Sequence, residues 1–190
     1  QEERIYSADG TRYLCLTNIV SIVEIGRDFL AGKVAVVDTY TGGMKILDDN
    51  LSYTSSRPEW FSDHKVIYCV FTSRNPTKKE MGQKKIFVYD LKTDSKSEIT
   101  PPGFDWFSEP AFNRTEILYY VQGRKEDYLK PQVFNVETNG VTYEADEFFW
   151  GRQIMPPPQL VWQEKKAMPD WLSFKQQWEK GEKENQKENE

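Results

Sequence analysis

The sequence predicts an all-β protein built from propeller-type repeats, because one pattern occurs three times along the chain. Tyr6, Trp60 and Phe112 each lead a β-rich segment, and these aromatic residues are 54 and 52 residues apart. Each copy continues through two apolar runs into a polar turn and a further short strand. Four strands in about 50 residues is the content of one propeller blade. We therefore expect about three blades, each a four-stranded antiparallel sheet, within residues 1–147.

The individual strands are predicted from runs rich in Val, Ile, Tyr and Phe that are closed by Asp, Asn, Thr or Gly. The third strand of each copy is expected to end at an acidic residue before its turn, at Asp38, Asp90 and Glu137. The fourth strands are predicted at 44–47, 97–100 and 141–143. Because the same order of strands and turns recurs, one architecture is assigned to all three copies.

The copies resemble the blades of TolB-like propellers in two places. Tyr-Ser-Ala-Asp-Gly-Thr-Arg at 6–12 is similar to the family's Pro-Ala-Trp-Ser-Pro-Asp-Gly followed by a basic residue. Residues 86–93, with Glu-Ile-Thr at 98–100, resemble the family's strand ending Asp-Leu-x-Thr-Gly and its following Leu-Thr. The second copy has His64 in place of the glycine, and the third lacks the Asp-Gly. The resemblance covers about residues 3–147 and implies a propeller; such blades occur in periplasmic binding proteins, peptidases and lyases.

The rest of the chain predicts a different organisation. Residues 148–168 contain Met-Pro-Pro-Pro, which cannot be a central strand, so we expect a Pro-rich strap across the third blade or a degenerate further blade. Residues 169–181 are predicted to form an amphipathic helix, and 182–190 a disordered tail. Three aromatic residues share one face of this helix: Trp171, Phe174 and Trp178. That face either packs on the chain's own sheet or binds a partner protein.

Three blades do not close a ring, since closed propellers typically have four to eight. Exposed apolar faces of a blade favour association with other surfaces, so we expect another segment or another chain to cover them. Three arrangements are open at this point. The chain is one part of a longer propeller, or two chains pair about a twofold axis into a homodimer with a six-bladed ring, or the segment after residue 147 caps an open half-ring.

The two cysteines fall at equivalent positions of adjacent blades. Cys15 and Cys69 each lie nine residues after the lead aromatic of their copy. Sheets packed face to face are about 10 Å apart, whereas a disulfide needs Cα atoms within about 7 Å. We therefore expect two buried free thiols that fill core positions.

Composition and residue types argue against several functional classes. The net charge is −5 and the isoelectric point about 5.2, with no Lys/Arg cluster beside stacking aromatics, so nucleic-acid binding is not predicted. No run of 18 apolar residues exists, so no membrane span is predicted. His64 is the single histidine, which disfavours a histidine-based metal site or a Ser-His-Asp arrangement. No catalytic residue and no cofactor is predicted.

An acidic segment follows the predicted fourth strand of the first blade. Asp48, Asp49 and Asn50 offer hard oxygen ligands of the type that calcium prefers. They lack the spaced array of a calcium loop. We therefore expect a plain polar turn there and predict no metal site.

The predicted binding surface is the set of loops that precede the lead aromatics, because propellers bind through loops around the central channel. Arg57 and Glu109 each precede a proline at equivalent positions and carry opposite charges. Tyr53, Asp105 and Trp106 belong to the same class of loop. Trp106 could alternatively pack between blades.

These observations predict a non-catalytic protein-binding or scaffolding module with a protein partner. Its assignment to the bacterial cell envelope, in the periplasm, rests wholly on the TolB-like resemblance. One alternative is a part of a propeller-bearing enzyme of the peptidase or polysaccharide lyase type. A second alternative is a self-assembling half-propeller with a purely structural role.

Overall fold

The structure is a computed structural model that describes residues 4–24, 27–72, 83–104, 108–125, 127–149 and Trp162. Thirteen β-strands lie within these residues. The first blade comprises β1 (Ile5–Tyr6), β2 (Arg12–Glu24), β3 (Arg27–Asp38) and β4 (Met44–Tyr53). The second comprises β5 (Glu59–Ser62), β6 (Lys65–Thr72), β7 (Gln83–Asp90) and β8 (Ser95–Glu98). The third comprises β9 (Ala111–Asn113), β10 (Glu116–Gln122), β11 (Tyr128–Asn135) and β12 (Gly140–Glu144), and β13 (Phe148–Phe149) follows it.

The strands of each blade lie side by side in the order of the sequence, and all pairs are antiparallel. The lead aromatics Tyr6, Trp60 and Phe112 lie on the first strand of each sheet, as the repeat predicts. The short strand β13 pairs with β11 beyond the end of β12. The predicted all-β fold of three four-stranded propeller-type blades is confirmed. The predicted helix 169–181 and tail 182–190 lie outside the described residues.

The turn between the third and fourth strands is built the same way in each blade. A side-chain oxygen at the end of the third strand accepts backbone N–H bonds two and three residues on; the acceptors are Asp38, Asp90 and Asn135. The residue four positions after the acceptor is left-handed, with φ of 69° at Gly42, 57° at Asp94 and 52° at Asn139. The third turn therefore starts at Asn135, and the prediction of Glu137 was wrong, because the amide of asparagine makes the same bonds as a carboxylate.

Two of the fourth strands differ from their predicted bounds by more than one residue at an end. In the second blade, the left-handed residue Asp94 closes the turn early, so β8 begins at Ser95 instead of residue 97. In the first blade, β4 continues to Tyr53. Its pairing with β3 shifts register between Lys33 and Ala35, so the segment predicted to be a polar turn, 48–50, is instead a bulge within β4.

Neighbouring blades pack through apolar side chains from alternate strand positions. Leu14 and Val36 of the first blade meet Val66 and Tyr68 of the second in one buried cluster. The opposite face of the second blade packs on the third through another cluster, which consists of Ile67, Cys69, Ile86, Ile117, Tyr119 and Phe134. Because both faces of β6 are covered, this strand is a continuous apolar run from Val66 to Val70 and shows no alternation.

The outer faces of the two end blades differ. On the third blade, Phe148 and Trp162 are buried against Leu118, Tyr120 and their neighbours. On the first blade, a small buried patch contains Cys15, Ala35 and Val37, and two apolar side chains beside it, Met44 and Ile46, are exposed. A residue from beyond the three blades thus covers the third blade, which is where a strap is predicted.

A buried carboxylate links the first two blades. The Oδ2 atom of Asp48 lies 2.9 Å from the Nζ of Lys96 and accepts a hydrogen bond from the Tyr68 hydroxyl at 3.2 Å. Its Oδ1 accepts from the backbone and side chain of Asn50. Burial acts to raise the pKa of Asp48, but the bonds from Asn50 and Lys96 outweigh it, so the pKa is lowered.

Both cysteines are free and buried, as predicted. They lie in different packing layers, because Cys15 faces away from the second blade whereas Cys69 faces the third. Burial raises the pKa of the Cys69 thiol to about 12, so almost none of it is thiolate at neutral pH. In the part of the chain that the structure describes, no helix is long and apolar enough to cross a membrane.

We expect neither thiol to react quickly with Ellman's reagent in the folded protein, because the thiolate is the reactive form and both sites exclude the reagent. After unfolding in guanidinium chloride, two thiols per chain should react. Absorbance at 412 nm measures both states. Fast release of one equivalent from the folded protein would contradict the burial of that cysteine.

Candidate functional site

A groove runs along the inner strands of the three blades. Its volume is ≈ 600 Å³, and all three lead aromatics of the repeat contribute to its walls. The polar residues that line it are Ser7, Glu59, Ser62, Asp63, Asn113 and Arg114. The sequence did not single out this groove, although the period of the lead aromatics marks the three strands that build it.

The walls of the groove are strand edges. In the order of each sheet β1, β5 and β9 are end strands, so each pairs with a neighbour on one side only. Edge strands present backbone N–H and C=O groups that can pair with an added strand. The groove therefore offers backbone hydrogen-bonding groups as well as side chains.

The lead aromatics play unequal roles in the groove. Trp60 packs into the layer between the first two blades, and its Nε1 donates to the Ile5 carbonyl at 3.0 Å. Phe112 packs into the layer between the second and third blades. Tyr6 stays 54% exposed, because no described sheet lies on its side of the first blade. Its ring lies 5.6 Å from that of Tyr13, which leaves one apolar surface open to a ligand.

One end of the groove is held by contacts between the turns of the first two blades. The guanidinium of Arg12 lies 5.3 Å from the ring centroid of Trp60 and donates to the Asp63 carbonyl at 2.6 Å. The preceding turn is organised by Asp9, which accepts bonds from the Ser7 hydroxyl and from Thr11. These bonds, with that of Ser7 the strongest, lower the pKa of Asp9 to about 2, so it is ionised at neutral pH.

Glu59 is the acidic group within the groove whose proton affinity is altered. Its side chain is partly buried on β5, and burial raises the pKa of the carboxyl group. The backbone N–H of Trp60 donates to its Oε1 at 3.0 Å and partly opposes this effect. A carboxyl group with raised pKa can accept or donate a hydrogen bond to a ligand, and such groups are also found at catalytic sites.

The predicted loop residues lie at the other end of the groove, since Arg57 precedes Glu59 by two positions. Arg57 is exposed and Glu109 is partly exposed, and each sits between a buried serine and a buried proline. Of these serines, Ser108 accepts a hydrogen bond from the backbone of Tyr120 at 2.9 Å. Arg57 and Glu109 thus occupy equivalent positions at the surface, although the buried Ser56 hydroxyl has no counterpart of the bond that Ser108 makes. Asp105 and Trp106 lie outside the described residues, as do the predicted partner-helix residues Trp171, Phe174 and Trp178.

Tyr53 was predicted to lie in a loop, but it is the last residue of β4, where it is buried beneath these loops because the strand continues past the bulge. Its ring packs edge-on against Phe71, with 4.2 Å between centroids. Lys84, which the sequence did not single out, is also buried; its ammonium lies 5.2 Å from the Tyr53 ring and donates to the Ser108 carbonyl at 3.0 Å. Lys84 thereby connects the end of β4 with the loop before β9. No local pattern could have identified it, because its partners are distant in the sequence.

Within the described residues, no group of three or more His, Cys, Asp or Glu side chains could hold a metal ion. A second, smaller acidic and basic depression contains Arg124, Lys130, Glu144 and Glu147 on the third blade. Its opposite charges are already paired, Arg124 with Glu147 and Lys130 with Glu144. The groove is therefore the better candidate site.

No family model matches the sequence, and no curated protein matches it significantly. Among solved structures, the chain is similar to an oligogalacturonate lyase in complex with manganese, with 10% identity and a TM-score of 0.45 over 76% of this chain and 41% of that one. It is also similar to the β-propeller domain of the Trilobed protease from Pyrococcus furiosus, with 13% identity and a TM-score of 0.42 over 82% of this chain and 52% of that one. A third similar structure is an acylaminoacyl peptidase, with 16% identity and a TM-score of 0.43 over 78% of this chain and 25% of that one. The chain spans about half or less of the length of these structures, and the likeness concerns the fold alone.

Proposed function

We propose that this chain is a non-catalytic protein-binding module, related to TolB-like propellers and working in the periplasm of a bacterial cell envelope. The observation that carries the proposal is the groove, whose walls are three strand edges and the exposed ring of Tyr6. The envelope location is supported by the TolB-like motifs at 6–12 and 86–100.

The geometry favours an extended segment of a partner protein as the ligand. Strand edges recognise extended peptides through backbone hydrogen bonds, and side-chain pockets add specificity. The volume of ≈ 600 Å³ lies within the range of about 300–1,000 Å³ typical of ligand pockets. Tyr6 supplies an apolar contact, while Asp63 and Arg114 place opposite charges at one end.

Arg57 and Glu109 extend this binding surface at the other end of the groove. Both side chains reach solvent from loops anchored by buried neighbours, so ordering them on binding costs little conformational entropy in the backbone. Charged residues at the rim of an interface mainly set the rate of association and the choice of partner. We therefore propose that contacts in the groove provide most of the binding affinity, and that Arg57 and Glu109 determine which partner is bound.

A photo-crosslinking experiment tests the proposal. Tyr6 is replaced with p-benzoylphenylalanine, and the protein is irradiated in cells of its source organism. We expect a discrete protein adduct, identified by mass spectrometry, because the probe lies in the groove. The matched control is the same replacement at Tyr40, which is 85% exposed on the turn between β3 and β4, outside the groove. Equal adducts from both positions, or none from Tyr6, would count against groove binding.

A second candidate function, part of a propeller-bearing enzyme, is favoured by one observation. Glu59 combines a raised pKa with a place in the groove, which is a property of general acids and bases. Turnover of oligogalacturonate or of a blocked peptide by this chain, lost in Glu59→Gln, would establish this candidate and displace the binding module. We expect no turnover above the buffer rate from either protein.

A further inference from the structure

The hairpin of β2 and β3 extends well beyond its own blade. These strands have 13 and 12 residues, whereas β6, β7, β10 and β11 have seven or eight. The extension consists of the paired segments 20–24 and 27–31, which we term the distal hairpin. At about 3.4 Å per residue it is about 17 Å long.

Among the described residues, the distal hairpin has a neighbouring strand only at its base, where Ala31 pairs with Tyr53 of β4 and the Leu30 carbonyl accepts a hydrogen bond from the Thr54 N–H. The inner strand β1 pairs only with Tyr13 and Leu14 of β2. On the other side, the pairing of β4 with β3 ends at Ala31. An isolated two-stranded ribbon is at best marginally stable in water, whereas four strands with an apolar face are stable. The distal hairpin therefore has the geometry of an incomplete sheet.

A bulge at the base of the hairpin turns it away from the blade. The register of β2 against β3 shifts between Thr17 and Val20, and Asn18 has a φ of 53°. Gly32 makes the bulge possible, because a Cβ at this position would lie 2.7 Å from the backbone carbonyl oxygen of Thr17. Beyond the bulge, Val20 is 44% exposed and Leu30 is 54% exposed. The hairpin thus carries apolar side chains into solvent.

Residues 19–23 on the free edge of β2 lack the charges found on other edge strands of this chain. The outermost strands each carry exposed charged side chains: Lys45 and Asp49 on β4, Lys96 and Glu98 on β8, and Glu144 on β12. Such charges prevent edge-to-edge pairing. By contrast, residues 19–23 read Ile-Val-Ser-Ile-Val, uncharged and rich in β-branched residues. An edge of this kind is suited to pairing with another strand.

We propose that the free edge of β2 pairs antiparallel with the same edge of a second copy of this chain, about a twofold axis at Ser21. The two distal hairpins would then form one four-stranded sheet. This register places Val20 opposite Ile22 of the second copy and Ile19 opposite Val23. The segment is self-complementary, since every apolar position meets an apolar one and the two serines meet at the axis. This symmetry selects a second copy over an unrelated protein.

A charge-swap experiment at Ser21, the residue on the proposed twofold axis, tests this dimer. Ser21 is exposed, so substituting it should not disturb the fold of the chain. Ser21→Lys brings two like charges together at the axis, as does Ser21→Glu, and like charges directly opposite destabilise strand pairing. We expect light scattering on a sizing column to give a dimer for the unmodified chain, twice 22.3 kDa, and 22.3 kDa for either variant. An equimolar mixture of the two variants should recover the dimer mass.

Two control variants separate this dimer from other associations. Val141 on β12 is 45% exposed, close to the 44% of Val20 in the distal hairpin. Val141→Lys therefore adds a charge at a comparably exposed valine outside the proposed interface and should leave the dimer intact. Ile46→Lys adds a charge to the outer face of the first blade, where a ring-closing dimer would form, and should also leave it intact. Loss of the dimer in Ile46→Lys with retention in Ser21→Lys would overturn the proposal, as would a monomeric unmodified chain. A mixture of the Lys and Glu variants that stays monomeric would also overturn it. The crosslinking experiment at Tyr6 tests the groove and does not depend on any of these mass measurements.

Discussion

Replacing Trp162 with alanine should lower the free energy of unfolding by about 3–5 kcal/mol, the range for a buried tryptophan. Trp162 is 8% exposed and packs in one cluster with Leu118, Tyr120 and Phe148 on the outer face of the third blade. Its removal opens a cavity and also exposes the side chains beneath it. Urea unfolding followed by circular dichroism measures the change. We also expect the variant to bind more of the dye ANS, because apolar blade surface is uncovered.

The matched control for this prediction is Tyr40→Ala. Tyr40 is also a large aromatic residue, but it is 85% exposed, so its loss should change the unfolding free energy by less than about 0.5 kcal/mol. Equal, small effects of both substitutions would mean that Trp162 contributes nothing to the third blade. In that case the strap would not be what covers this face.

Replacing Asp48 with asparagine should lower the free energy of unfolding at pH 7 by about 2–3 kcal/mol, the cost of losing hydrogen bonds to a buried charged group. Asparagine preserves the volume but places an NH₂ group or a neutral oxygen against the ammonium of Lys96 and the Tyr68 hydroxyl. Asp49→Asn is the control in the same bulge. Asp49 pairs with Lys33 at 2.9 Å, but its side chain is 95% exposed, so we expect a change below about 0.5 kcal/mol.

The effect of Asp48→Asn should also depend on pH in a defined direction. The pKa of Asp48 is lower in the folded chain than its ordinary value of about 3.9, so the folded state holds the proton less tightly than the unfolded state does. The stabilisation is therefore complete above about pH 5 and is lost as pH falls through the folded pKa. The difference between the two proteins should be constant from pH 5 to 8 and shrink towards pH 3. A difference that grows on acidification would contradict the lowered pKa.

Local structure in this protein was predictable because its signals are local. Each blade repeats an aromatic residue, a β-rich run and a turn whose Asp or Asn accepts N–H bonds from the next residues, and these features act within a few residues of one another. The same reasoning failed at Glu137 because an acidic residue was expected at the start of the turn. The turn needs only a side-chain oxygen that accepts the N–H bonds, and Asn135, two residues earlier, supplies it. It failed at 48–50 because a polar run was taken as a turn, although the strand continues past it as a bulge.

The predicted binding residues show where local reasoning stops. Arg57 and Glu109 reach solvent at one end of the groove, while Tyr53 is buried with Phe71 under Lys84. All three were chosen for their place in a loop, which a single sequence shows. Whether a loop side chain points outward depends on the blades beside it, which the sequence does not show.

By itself the sequence determined the number of blades, the order of their strands, the turns at Asp38 and Asp90 and the burial of both cysteines, because short-range hydrogen bonding and apolar patterning suffice for each. The tertiary structure decided which strand edges form the groove and that Trp162 covers the third blade. It also decided that Asp48 meets Lys96 and that the hairpin of β2 and β3 projects past its sheet. These features depend on how three sheets stack, which brings together residues far apart in the sequence, such as Tyr6 and Phe112 in the groove, and no local pattern encodes such contacts.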